Sequence, residues 1–130
     1  MGYARQSVSR TRDRGIGGEV ESAMNTARAA LNNACTEGEF SEWLRQLCVV
    51  RRLFAYHAHD SRNSAAGYPD WTIVLRDGGL VFAELKRERG ELSRDQLLWG
   101  AALSGVEAAT DGRVRYRVWR PSDAAEIERL

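Results

Sequence analysis

Apolar positions recur at helical spacing from Glu19 to about Asn33, where Val20, Met24, Ala27 and Leu31 line one side of a predicted helix. A second helix is predicted to open at Thr36. Thr36-Glu37-Gly38-Glu39 fits a capping box in which Glu39 reaches back to the cap. Phe40, Trp43, Leu44, Leu47 and Cys48 then follow at i, i+3, i+4, i+7 and i+8, a single buried stripe. At ~100° per residue, Glu37 projects on the same side as Phe40, Leu44 and Cys48, whereas Glu39 and Glu42 point elsewhere. Glu37 is therefore the acid aimed toward the protein, although a first-turn glutamate also suits the helix dipole.

Beyond this helix the pattern changes. Arg52 to His57 alternates loosely and is rich in aromatics, and Asp60 to Gly67 has the composition of a loop. Trp71 to Arg76 and Leu80 to Lys86 are strands joined by Asp77-Gly78-Gly79, a strong hairpin signal. Arg87 to Leu92 is a polar connection. Ser93 caps a helix that carries Leu97, Leu98 and Ala101 and stops near Gly105. Val114 to Trp119 is a final strand, and Pro121-Ser122 starts a short helix through Ile127. The order predicts an α/β fold, a mixed β-sheet flanked by helices, without a Rossmann repeat or any internal repetition.

With 130 residues, 43% of them hydrophobic, the chain can bury one modest core. No apolar run approaches the ~20 residues of a membrane span, and the N-terminus lacks the apolar segment of a secretory signal. Cys35 and Cys48 have no metal-binding spacing and read as reduced thiols of a cytoplasmic protein. The net charge of +1 carries no global nucleic-acid signature. Charge is uneven, however. Residues 1–17 hold Arg5, Arg10, Arg12 and Arg14 among small polar residues and read as a flexible basic arm, either without a role or touching DNA. Among 19 basic residues Lys86 is the sole lysine, which points either to a place where a compact ammonium is needed and a guanidinium fork is unsuited or to a general compositional bias toward arginine.

Lys86 belongs to the most informative stretch, Gly67-Tyr68-Pro69-Asp70-Trp71 followed by Phe82-Ala83-Glu84-Leu85-Lys86. Strand alternation puts Glu84 and Lys86 on one face, ~6.6 Å apart along the strand. Asp70 begins the partner strand, and Pro69 suits a first strand position because it donates no ladder bond. The hairpin thus gathers two carboxylates and an ammonium at one end of a sheet. Adjacent carboxylates repel unless neutralised, and Mg²⁺ is a natural partner. Asp70, Glu84 and Lys86 therefore form a candidate phosphodiester-hydrolysis site, the plain alternative being a hairpin with solvated charges.

Glu37, Gly67-x-Pro69-Asp70, Glu84-Leu85-Lys86 and Ser93-x-x-Gln96 resemble the VRR-NUC family, part of the nuclease superfamily with restriction-endonuclease-like folds. The similarity runs over residues 36–130, including Val118-Trp119-Arg120-Pro121-Ser122-Asp123, and is greatest to the compact stand-alone members of phages and bacteria. The resemblance implies a Mg²⁺- or Mn²⁺-dependent endonuclease on branched DNA, similar to a Holliday-junction resolvase and acting as a homodimer. It implies that Asp70 and Glu84 are metal ligands with the carbonyl of Leu85, that Lys86 is the catalytic lysine, and that Glu37 and Gln96 complete the catalytic set. Gln96 also fits a capping box with Ser93, and the two roles are compatible. Ser41 departs from the family, in which many members have glutamine.

Residues 18–35 form an extra helix outside the resemblance, its stripe either an interface or a face packed on its own domain. A zinc site at His57 and His59 would need further ligands. Arg62, Arg113, Arg115, Arg117 and Arg120 are candidate phosphate contacts; Arg113, Arg115 and Arg117 share one strand face, whose plain alternative is a solvated edge. Trp71, Trp99 and Trp119 read as core or interface aromatics. The competing functions are a catalytically inactive DNA-binding module of the same fold and a flap or site-specific endonuclease.

Overall fold

The computed structural model describes residues 13–58 and 64–130, so His59, Arg62 and most of the basic arm lie outside the described residues. The chain divides into two compact units, residues 1–31 and 32–130. The first is built on helix α1 (Asp13–Ala34), which starts well before the predicted Glu19 and takes in the end of the segment read as an arm. Gly17 and Gly18 weaken the helical signal there, but each costs only ~1 kcal/mol in a helix. Its apolar stripe is exposed: Ile16, Val20, Met24 and Leu31 are 54–72% accessible.

The second unit contains α2 (Glu37–Val50), β1 (Ala55–His57), β2 (Trp71–Val74), β3 (Leu80–Leu85), α3 (Arg94–Ala109), β4 (Val114–Trp119) and, after a 3-10 turn at Pro121–Asp123, α4 (Ala124–Ile127). The four strands form one mixed sheet in the order β1-β2-β3-β4. The first two pairings are antiparallel, and β3 and β4, joined through α3, are parallel. This is the mixed, helix-flanked α/β sheet that the element order predicts.

Helix α2 starts at Thr36, whose hydroxyl accepts from the N–H of Glu39 at 3.1 Å. The Glu39 carboxylate accepts a hydrogen bond from that same hydroxyl at 2.9 Å rather than from the backbone N–H of the cap. At the other end Arg52 adopts a left-handed φ of 55°, and the N–H of Leu53 closes on the carbonyl of Cys48. That helix-ending turn uses the residues predicted to begin a strand, so β1 is only three residues long. Helix α3 runs through Gly105 to Ala109. It stops where Thr110 caps it and Asp111 and Gly112 turn left-handed, at φ of 52° and 78°.

Strand register defines two faces. Trp71 sits opposite Ala83, Ile73 opposite Val81 and Leu85 opposite Trp119. All six are buried, with Phe40, Leu44 and Cys48 of α2 and Ile127 of α4, as the core. Leu44 and Ile73 are fully enclosed, and each such side chain contributes roughly 1.5–3 kcal/mol. The other face carries Thr72, Phe82, Glu84 and Tyr116. There Gly100 of α3 meets the Tyr116 ring so closely that a Cβ would fall 2.8 Å from it. The hairpin turns at Asp77-Gly78-Gly79, where Leu75 donates to the carbonyl of Gly79 at 2.8 Å and Gly78 has φ of 88°.

Candidate active site

The end of the sheet opposite this hairpin turn gathers Asp70, Glu84 and Lys86. The segment before β2 is pinned to the first turn of α3. Gly67 has φ of 81°, and a Cβ there would fall 2.3 Å from the backbone carbon of Asp95, so only glycine allows the approach. Tyr68 meets Trp99 edge-on at 5.1 Å between ring centres, and the Trp99 indole donates to the carbonyl of Ala66 at 3.1 Å. Trp99 is thus a clamp on this loop, whereas Trp71 and Trp119 are core. Pro69 is fully enclosed, and Asp70 follows it.

Asp70 Oδ2 accepts the N–H of Leu85 at 2.9 Å, which ties the head of β2 to the tail of β3. Continuing the antiparallel register from Trp71 and Ala83 puts Leu85 opposite Pro69. Proline has no N–H to offer the Leu85 carbonyl, so the ladder ends on a backbone oxygen beside the two carboxylates. Glu84 is only 2% exposed. Its pKa is pushed up to about 8, first by burial and then by Asp70, through its charge and a hydrogen bond that favours the protonated form. Lys86 works in the opposite direction, and Glu37 adds a smaller upward push. Glu37 is itself exposed at the start of α2, facing the site only through its field.

Gln96 serves both roles that its position allows. Its Oε1 accepts the N–H of Ser93 at 2.8 Å, and its own backbone N–H donates to the Ser93 hydroxyl oxygen at 3.2 Å, a complete capping box. With the carbonyl end held by the cap, the amide nitrogen points at the site and donates to Glu84 Oε1 at 2.7 Å. The cap therefore orients the donor that holds Glu84.

Lys86 is positioned from β4 and the chain after it. Its N–H donates to the carbonyl of Trp119 at 3.0 Å. Arg120 donates to the carbonyls of Arg87 and Gly90, both at 2.7 Å, and Ser122 N–H reaches the Glu88 carboxylate at 3.0 Å. Arg120, read from sequence as a phosphate contact, is a staple for the turn that follows Lys86. Tyr116 is a residue that sequence reasoning passed over. Its phenol is raised by burial and by the charges of Glu84 and Asp70, so it lies in the field of the carboxylate pair. The available signal was its strand parity, which it shares with Val118, the register partner of Glu84.

The other arginines sit elsewhere. Arg115 and Arg117 are opposite Val81 and Ala83, on the face away from Glu84, and β4 is a sheet edge. Arg115 pairs with Asp77 at 2.8 Å and Arg117 with Glu107 at 2.7 Å. Arg113 is exposed just before β4. Ser41 accepts the Trp71 indole N–H at 3.1 Å, joining α2 to β2.

Comparison of the chain with protein-family profiles, characterised proteins and solved structures gave no match. Among the described residues no three His, Cys, Asp or Glu side chains converge to hold a metal. The donor set at the sheet end is two carboxylates and one backbone carbonyl. These hard oxygens fit Mg²⁺ or Mn²⁺, which bind through few protein ligands and keep waters, and they lack the nitrogen and sulfur donors of ordinary zinc sites. A cation would also relieve the repulsion that raises Glu84. Among the described residues no helix is long and apolar enough to cross a membrane.

Proposed function

We propose that this chain is a Mg²⁺- or Mn²⁺-dependent endonuclease of the VRR-NUC type, with a restriction-endonuclease-like fold, hydrolysing phosphodiester bonds in branched DNA. The reading extends to a cytoplasmic homodimer that cuts four-way junctions, one cut per protomer, because a two-fold pair of sites matches the paired cuts that resolution requires. The observation that carries it is the Asp70–Glu84 pair, in which Glu84 is buried against Asp70 and lies in the field of the sole lysine of the chain. A merely solvated hairpin has no reason to bury one of two adjacent acids.

In this reading Asp70, Glu84 and the Leu85 carbonyl hold the ion. When bound, the ion polarises the scissile phosphate and lowers the pKa of a water. Gln96 fixes Glu84 by occupying Oε1. Leu85 N–H fixes Asp70 by occupying Oδ2. Each carboxylate is thereby oriented by a donor of the chain itself. The Lys86 ammonium orients the attacking water or meets the charge that develops on phosphorus. Glu37 adds negative field at the rim.

A cleavage panel tests the assignment: duplex, flap, splayed-arm and four-way-junction DNA, each with Mg²⁺ or Mn²⁺. Metal-dependent cutting of branched DNA is expected, and Glu84→Ala should abolish it while leaving DNA binding largely intact. Binding without cleavage under both metals would mark a non-catalytic module. Cutting confined to one duplex sequence would mark a site-specific enzyme.

A further inference from the structure

We infer that α1 is a self-association helix that pairs antiparallel with α1 of a second copy of this chain. This supplies the surface for the homodimer of the proposed function and rests on that reading only for its biological use. Most helices owe their stability to a buried face rather than to intrinsic propensity, and α1 carries Gly15, Gly17 and Gly18 in its first two turns. In α1 the apolar face is exposed, with Leu31 at 72%, Met24 at 59% and Val20 at 54%.

The helical spacing of that face also fits a coiled-coil seam. Gly17, Val20, Met24, Ala27, Leu31 and Ala34 follow each other at intervals of three, four, three, four and three, the 3.5-residue repeat of a coiled-coil seam. Gly17, Met24 and Leu31 occupy one core position of the heptad, and Val20, Ala27 and Ala34 the other. In an antiparallel pair these two sets face each other. Val20 then meets Leu31 of the second copy, Met24 meets Ala27, and Gly17 meets Ala34. Every layer joins a larger residue to a smaller one, or two small residues at the ends, so the seam fills evenly.

Charge selects the same orientation. Glu21 and Arg28 occupy equivalent flanking positions of successive heptads. Antiparallel pairing sets Glu21 of each helix beside Arg28 of the other, offset by ~3 Å of axial rise. Two such contacts form, related by the two-fold axis. The opposite flank presents Ala23 and Ala30, small enough for the helices to approach. A parallel pair would place Arg28 beside Ala23 and Glu21 beside Ile16, with no charge partner for either. Flanking charges of this kind set partner orientation in coiled coils.

Sedimentation of the full chain across a concentration series tests this directly, with helicity followed by circular dichroism and cleavage assayed separately. The wild type should be dimeric at micromolar concentration, and Met24→Glu with Leu31→Glu should be monomeric. Glu21→Arg and Arg28→Glu should each weaken the dimer by roughly tenfold in Kd, and the double exchange should restore it. A monomeric wild type, or a dimer that survives Met24→Glu with Leu31→Glu, overturns the inference. Single charge variants that weaken the dimer without rescue in the double exchange overturn the antiparallel pairing. Association is read without reference to catalysis, so loss of the nuclease assignment would leave these outcomes unchanged, and the reverse.

Discussion

Gly67→Ala is the sharpest perturbation of the arrangement that aims Asp70 and Gln96. Two costs add. Gly67 has φ of 81°, and an L-residue held in left-handed backbone loses about 1–2 kcal/mol. The new Cβ would also fall 2.3 Å from the carbon of Asp95 and 2.6 Å from the nitrogen of Gln96, both backbone atoms of α3. Neither can swing aside, and overpacking of this kind costs roughly 1–3 kcal/mol. Alanine returns about 0.4–1 kcal/mol by restricting the unfolded chain. The expected net loss is therefore on the order of 2–4 kcal/mol, a large part of the ~5–15 kcal/mol that stabilises an ordinary domain. Gly78→Ala is the matched control. Its φ is 88°, but nothing lies within 4 Å of its Cβ, so only the backbone cost applies, about 0.5–1.5 kcal/mol after the same correction. Urea denaturation of both variants, with unchanged m-values, measures the difference. Cleavage should fall in Gly67→Ala beyond its unfolded fraction, because the Gln96–Glu84 bond of 2.7 Å is displaced with the helix. Gly78→Ala, at the far end of the hairpin, should cut normally. Equal destabilisation by the two substitutions would refute the close approach of Gly67 to α3. Equal activity per folded molecule would refute its role in aiming the site.

Three further outcomes are expected. Lys86→Arg keeps the charge but replaces a compact donor with a planar one, and single-turnover cleavage should slow by at least ~10-fold with little change in DNA affinity; a fully active variant would reduce Lys86 to a phosphate anchor. Arg120→Ala removes the donor to the Arg87 and Gly90 carbonyls and should slow cleavage mainly in kcat, with a loss of about 1–3 kcal/mol in urea melts, while unchanged kcat would separate the staple from Lys86. The Glu107 carboxyl is held below the usual range by the Tyr116 N–H and by Arg117. A lowered folded pKa means stability that is present above the ordinary glutamate pKa and lost as pH falls through the folded value, so Glu107→Gln should be less stable than wild type at neutral pH and the gap should close in acid; a gap independent of pH would remove the charge from this contact.

The hairpin, its turn and the amphipathic α2 were legible because each is a local pattern. Alternation over Trp71–Val74 and Leu80–Leu85 brackets Asp77-Gly78-Gly79, and a hairpin fixes its own register once the turn is known. Glu84 is for that reason assignable to the Asp70 end of the sheet from the sequence alone. The double role of Gln96 was half legible: Ser93-x-x-Gln96 announces a cap, but the contact with Glu84 depends on where α3 crosses the sheet. Ends of elements were misread where glycine or a left-handed residue carried the decision, as at Gly17, Arg52 and Gly105.

What the sequence determined by itself is the periodicity of each element and the chemical types placed on each face, since covalent spacing and backbone geometry are enough for both. Only the tertiary structure decided which distant groups meet. The parallel pairing of β3 with β4 brings Tyr116 into the field of the carboxylates and Arg120 onto the turn after Lys86. The same pairing turns Arg115 and Arg117 away from Glu84 and toward Asp77 and Glu107. Burial, which leaves Glu84 2% exposed and raises its pKa, is likewise a property of packing. Local patterns constrain neighbours a few residues apart, whereas a site assembled from α2, two strands and α3 depends on how those elements exclude water together.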